Sequence, residues 1–137
     1  MQILNKKPPE WIMQGCLNQF RVNVEHTYWT YGDVLYNPGG HSLPDHIIAH
    51  EGVHARQQEA FDGGKDRWWE HYLINSQFRL EQEAEAYAAQ YWFYCGKVSD
   101  RNRRALFRAQ LAQQLSGPLY QLAVTASEAR RMIELKA

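Results

Sequence analysis

Only two cysteines, Cys16 and Cys95, occur in the 137 residues. That is too few for a disulfide framework, and they stand at no zinc-ribbon spacing, so reduced, partly buried thiols are expected. Charge of neither sign is in excess: Lys and Arg number 15, Asp and Glu 15, and the formal net charge is +0. Without a global field, nothing draws the chain to nucleic acid or an anionic membrane. No run of roughly 18 apolar residues is present, which excludes a membrane-spanning helix. The start, "MQILNKKPPEW", places prolines where an apolar stretch would have to follow Lys6 and Lys7. A secretory signal peptide is therefore not expected, and the default reading is a protein made in the cytoplasm. Internal repeats and low-complexity tracts are also missing.

Aromatic residues are plentiful, at 13% with five Trp and eight Tyr, within a hydrophobic fraction of 45%. This is a globular composition, and the length predicts one domain over residues 1–137 with a single substantial core. The one local charge run, "RNRRALFR" (101–108), reads as the solvated start of a helix, with a polyanion-binding patch as the alternative.

The pattern predicts an α+β chain that is mostly helical. "FRVNVE" (20–25) alternates apolar and polar residues with period two and predicts a half-buried strand. "YWTYGDVLY" (28–36) turns at Gly32-Asp33 into a short strand, "DVLY", so short antiparallel β-structure is expected at the N-terminal end. "NPGGHSLP" stops it, and Ser42 with Asp45 resembles a capping box for a helix from about 43 to 60. Beyond the break at "DGGKD", Asp66 is expected to cap a short helix. Ser76 is expected to cap a long one over 77–96 that closes on a left-handed Gly96. Ser99 or Asp100 opens the next helix, which ends at Gly117, and a Thr125/Glu128 capping box opens the last, "TASEARRMIELK". Together these make a C-terminal helical bundle.

Within the helix after the strands lies "IIAHEGVHARQQEAF". His50 and His54 are four residues apart and so share one helix face about 6 Å from each other, a spacing at which two imidazoles can bind one cation. Glu51 lies beside that face, where a carboxylate can take a proton from water without binding the metal. The plainer alternative is two core histidines bonded to backbone carbonyls. His46 continues the row, but it stands about 12 Å along the axis from His54, too far to share an ion. A third ligand has to come from another element, and "RLEQEAEAYAAQY" offers Glu81, Glu83 and Glu85. With Leu80, Ala84, Tyr87, Tyr91 and Tyr94 as the buried stripe, Glu81 and Glu83 lie on opposite shoulders and Glu85 points further out. Periodicity does not choose between the first two. Gly52 is disfavoured in a helix by about 1 kcal/mol relative to alanine, and a close neighbour against the metal helix would account for it. The cluster Trp68, Trp69, Tyr72, Tyr91, Trp92, Phe93 and Tyr94 reads as a packed wall between helices.

An HExxH motif followed tens of residues later by a helical glutamate resembles the gluzincin type of zinc peptidase. "HEGVHARQQ", "WWEHYL" and "FRLEQEAEAYAAQY" together resemble small metallopeptidase-like proteins of bacteriophages and their bacterial hosts, over about residues 40–95. The resemblance implies a zincin-like active-site helix, a Zn2+ held by His50, His54 and Glu83 (Glu81 as the fallback), and Glu51 as the general base of amide hydrolysis. It also implies a peptide or protein substrate paired with an edge strand, for which "DVLY" is the candidate, in host cytoplasm or a virion. Larger gluzincins carry an Asp four residues after the ligand. Tyr87 stands at that place here, which leaves the outer partner of the zinc-bound histidine unassigned; were Glu81 the ligand, Glu85 would fill it. Oxyanion stabilisation falls among Tyr28, Tyr31, Tyr36, His26, His41 and His46. Two other readings are a virion or regulatory protein that uses zinc only for folding or partner binding, and a zinc hydrolase of a non-peptide amide such as a cell-wall bond.

Overall fold

The computed structural model describes residues 1–120 and 124–135. Its order is β1 (Gln2–Leu4), α1 (Glu10–Gln19), β2 (Trp29–Tyr31), β3 (Val34–Tyr36), α2 (Asp45–Ala60), α3 (Gly64–Ile74), α4 (Ser76–Lys97), α5 (Arg101–Leu115) and α6 (Ala126–Leu135). The fold is α+β and mostly helical, with a small sheet at the N-terminal end. Lys136 of the expected last helix lies outside the described residues.

The sheet is mixed rather than wholly antiparallel. β2 and β3 form an antiparallel hairpin turned by Gly32 at φ 61, and β1 joins β3 in parallel. The strand order β1-β3-β2 makes "DVLY" the central strand and leaves β2 outermost, beside α2. The two ladders fix the orientation of β2. Gln2 N and Asn37 N bond Asp33 O and Leu4 O, so Leu35 turns its peptide groups to β1, while Val34 and Tyr36 turn theirs to β2. Thr30, opposite Leu35, therefore aims its own peptide groups outward. There Gln58 of α2 donates to Thr30 O at 2.8 Å and accepts from Gly32 N at 2.7 Å, and Trp69 Nε1 donates to Thr30 O at 2.9 Å.

Residues 20–25 form no strand. Asn23 Oδ1 accepts from Glu25 N and Thr27 Oγ1 donates to Asn23 O, so a local turn competes with strand extension and closes a short 3-10 segment, Val24–His26. The apolar alternation still reports facing, with Phe20 buried and Val22 and Val24 packed against the N-terminal core. Preceding it is α1, a helix not expected from the sequence. Pro9 sits at its N-cap, and a Cβ on Gly15 would meet Leu73 Cδ1 at 2.6 Å, so the glycine lets α1 seat closely on α3.

Several predicted caps shift by one to three residues. Pro44, not Ser42, is the N-cap of α2, which puts the Ser42 side chain out of reach of the first free amides. Gly63, at φ 92, precedes α3, so Asp66 falls inside the helix and accepts from Tyr31 OH at 2.6 Å. Asn75 caps α4 through Phe78 N at 2.9 Å, leaving Ser76 as the first helical residue. Gly96 is interior to α4, whose C-cap is Val98 in an extended conformation. Asp100 caps α5 as expected, and its basic first turns are largely solvated. The Thr125/Glu128 box is formed in both directions, at 3.1 Å each.

Two apolar clusters flank the site. One joins α1, β2 and α3 around Trp29, Trp68, Trp69 and Tyr72; the other joins α4, α5 and α6 around Leu80, Tyr87, Leu111, Leu115 and Ile133. Both cysteines are free and buried. Trp92 and Phe93 are not part of the packed wall: they are 48% and 37% exposed on the outer face of α4, because the buried stripe runs through Tyr87, Tyr91 and Cys95.

Candidate metal centre

α2 crosses α4 so that one buried face of each meets the other, the most extensive helix pairing among the described residues. His50 and His54 project from α2 and Glu83 from α4, and all three are buried. One ligand atom from each lies within 4.8 Å of the other two. Glu83 Oε1 stands 3.1 Å from both His50 Nε2 and His54 Nε2. Glu81 is exposed and accepts from Gln77 at 2.9 Å, and Glu85 is also on the surface, so of the three glutamates only Glu83 reaches the imidazoles.

The far side of each ring explains why Nε2 faces inward. His50 Nδ1 is 2.9 Å from Gln90 Oε1, and His54 Nδ1 is 2.8 Å from Gln57 Oε1. A carboxamide oxygen only accepts, so each Nδ1 carries the proton and donates it outward. In neutral rings both Nε2 lone pairs then converge on the carboxylate oxygen, an arrangement of three acceptors that requires a proton or a cation between them. In the metal-free protein a proton serves. Burial would lower the pKa of His54, but the Glu83 charge and hydrogen bond outweigh it and raise the value from 6.5 to about 9. Burial likewise pushes Glu83 upward, and the two histidines outweigh it, holding the carboxyl far below the ordinary range. Tyr72 OH donates to the remaining oxygen, Glu83 Oε2, at 2.5 Å, and burial with the adjacent carboxylate keeps that phenol protonated. Arg79 lies under Tyr72, its guanidinium 4.5 Å from the Phe20 ring centre, and donates to Tyr72 O.

Glu51 does not join the cluster. It lies on the neighbouring wall, where Thr30 Oγ1 of β2 donates to its Oε2 at 2.8 Å, leaving Oε1 free of that bond. All four residues line one cavity of about 390 Å³, with Phe20, Trp68, Trp69 and Tyr120 also in its wall.

Of the residues considered for the oxyanion, His26 and Tyr28 line this cavity, whereas Tyr31, Tyr36, His41 and His46 do not. Tyr31 is bonded to Asp66, and His41 stacks on His26 at 4.7 Å with its Nε2 2.8 Å from Glu25 O. Tyr87, at the place where larger gluzincins have Asp, packs its ring edge-on to His50 at 4.6 Å and makes no hydrogen bond to it; its hydroxyl meets Tyr120 OH at 3.2 Å. Sequence reasoning missed Thr30, Gln57, Tyr72 and Gln90. For Gln57 and Gln90 a signal was available, since Gln57 lies one helical turn beyond His54 and Gln90 two turns beyond Glu83. No crowding surrounds Gly52: a Cβ there would meet only Arg56 Nη1, at 3.6 Å, so close helix approach does not explain this glycine.

The chain matches no family model, no curated protein and no solved structure. The reading of the site therefore rests on the donor set. Two imidazole nitrogens and a carboxylate oxygen, with proton-bearing nitrogens turned away, fit a divalent transition metal, and zinc is the usual occupant of a His2Glu set that leaves a fourth position open.

Proposed function

We propose that the protein is a zinc-dependent hydrolase of amide bonds, peptide bonds being the first substrate class to test, of the gluzincin-like type that the motif resembles. The observation that carries this reading is a carboxylate beside the triad but outside it. A structural zinc site requires only His50, His54, Glu83 and one more ligand, whereas Glu51 lines the same cavity with one oxygen held by Thr30 and the other available.

Zinc in this site would polarise the scissile carbonyl and acidify the attacking water. Each residue has a defined part. Gln90 and Gln57 hold the two rings with Nε2 inward, and Tyr72 fixes the rotation of the Glu83 carboxylate. Glu51 Oε1 takes the proton from the attacking water and returns it to the leaving nitrogen, while the Thr30 hydroxyl steadies Oε2. Trp68, Trp69 and Phe20 exclude bulk water from one side of the cavity, which strengthens the electrostatic interactions inside it.

The test is Glu51→Gln beside wild type, read in zinc content and in hydrolysis of a mixed peptide library. Retained zinc with hydrolysis lost by two orders of magnitude or more supports a general base. Retained zinc with no change in any activity supports the alternative of a zinc-stabilised structural or regulatory protein.

A further inference from the structure

We infer that His46 is a positioning residue of the metal centre, acting through Gln90 to set which nitrogen of His50 faces the ion. The inference rests on the zinc reading above and assigns the outer partner that the Tyr87 replacement leaves open.

Gln90 bridges two successive turns of α2. Its Oε1 is 2.9 Å from His50 Nδ1 and its Nε2 is 2.9 Å from His46 Nδ1. The two ends of a carboxamide are nearly equal in size and opposite in hydrogen bonding, so packing alone does not choose between the two orientations; the partners do. Turned by 180°, Gln90 would present N–H to His50 Nδ1. The ring would then carry its proton on Nε2, aimed at Glu83 and at the place of the metal. With its Nδ1 unprotonated, His46 opposes this by offering an acceptor at the other end, which the N–H2 group meets. Gln90 is 2% exposed, so bulk water has little access to substitute for that acceptor.

The acceptor is itself held in place. The His46 ring packs edge-on against Phe107 of α5 at 4.9 Å and against Tyr94 of α4 at 6.2 Å, and those two rings stack on each other at 4.0 Å. Burial lowers the pKa of His46, which favours the neutral ring, the only state in which Nδ1 can accept. The other ligand uses the same device: Gln57 turns Oε1 to His54 because its Nε2 is taken by Gln82 O at 3.0 Å and Glu85 Oε1 at 3.1 Å. Each metal-facing imidazole is thus oriented by a glutamine that is oriented in turn by an acceptor behind it. His46, excluded as a ligand by its distance along the helix, serves as that acceptor for His50.

Two substitutions separate this role from packing. His46→Phe keeps a ring against Phe107 and Tyr94 but removes the acceptor. His46→Asn gives up the ring but places Oδ1 at the same number of bonds from the backbone as Nδ1. Zinc affinity is measured for both and for wild type by competition with a chromogenic chelator. The expected result is a loss of about tenfold or more for His46→Phe, the lower end of the effect of losing an outer partner, with His46→Asn within about threefold of wild type. The reverse order, or two variants equal to wild type, overturns the inference while leaving the zinc site intact. A wild type that binds no zinc overturns the site reading and this inference with it. Independently of any variant, the ¹⁵N shifts of the zinc-loaded wild type must show His50 Nδ1 protonated and His46 Nδ1 unprotonated; the opposite pattern at either ring refutes the relay.

Discussion

Loading the site with zinc must expel a proton, and the structure sets how strongly that matters. Both Nδ1 atoms donate outward, so the proton that resolves the conflict among His50, His54 and Glu83 sits between Nε2 and the carboxylate, and Glu83 holds the pKa of His54 at about 9. At pH 7 the ring is two units below that value. Displacing its proton costs about 3 kcal/mol, a ~100-fold weakening of zinc relative to pH above 9. Affinity should therefore rise about tenfold per pH unit between pH 7 and 8.5, with at least one proton released per zinc. Calorimetric titration from a zinc–chelator buffer, repeated in two buffers of different ionisation enthalpy, counts those protons directly. A flat affinity across that range, or no proton released, would show that Nε2 of His54 is not where the metal binds.

Other consequences follow from the same geometry. In the metal-free protein, the raised His54 pKa contributes stability that is full below pH 6.5 and is lost as pH rises through about 9; unfolding free energies from urea titrations should decline by up to about 3 kcal/mol over that interval, and not in Glu83→Gln. Glu83→Ala should abolish stoichiometric zinc by elemental analysis, while Glu81→Ala, on the surface, should leave it unchanged. Gly52→Ala should stabilise the protein by about 0.5–1 kcal/mol in chemical denaturation, because the added methyl meets only Arg56 Nη1 at ordinary contact distance. Thr30→Val removes the donor to Glu51 without changing side-chain size and should destabilise by about 1–3 kcal/mol with zinc affinity kept; loss of zinc in that variant would place Glu51 among the ligands.

The helices were legible because their signals are local. Asp100, Thr125 and Glu128 are read as caps from residues within one turn, and the four-residue spacing of His50 and His54 sets their shared face without reference to the rest of the chain. Glu83 was harder: periodicity placed it and Glu81 equally, the preference for Glu83 came from the resemblance alone, and the physical distinction is the crossing of α4 over α2, a long-range property. The false strand at 20–25 shows the opposite failure. Its alternation describes which side chains are buried, yet a strand also needs a partner, and the bonds of Asn23 to Glu25 and Thr27 withdraw that backbone from pairing. Thr30 and Tyr72 carry no pattern of their own, and Gln57 and Gln90 only that of lying along the helices that bear the histidines and Glu83, since an outer-sphere role consists of which atom touches which neighbour.

The amide of Gln58 occupies, beside Thr30 and Gly32, the rung that a fourth strand would otherwise supply, and the residue is 0% exposed. A side chain thus hems the little sheet on its open border, bonding as a peptide unit would but with no chain attached to it. No second molecule can be templated onto that stretch, which protects a short outer strand from self-association. An extended guest is likewise denied Thr30 O and Gly32 N as partners, so any pairing along β2 is confined to the peptide groups nearer Tyr28, the end that lines the cavity.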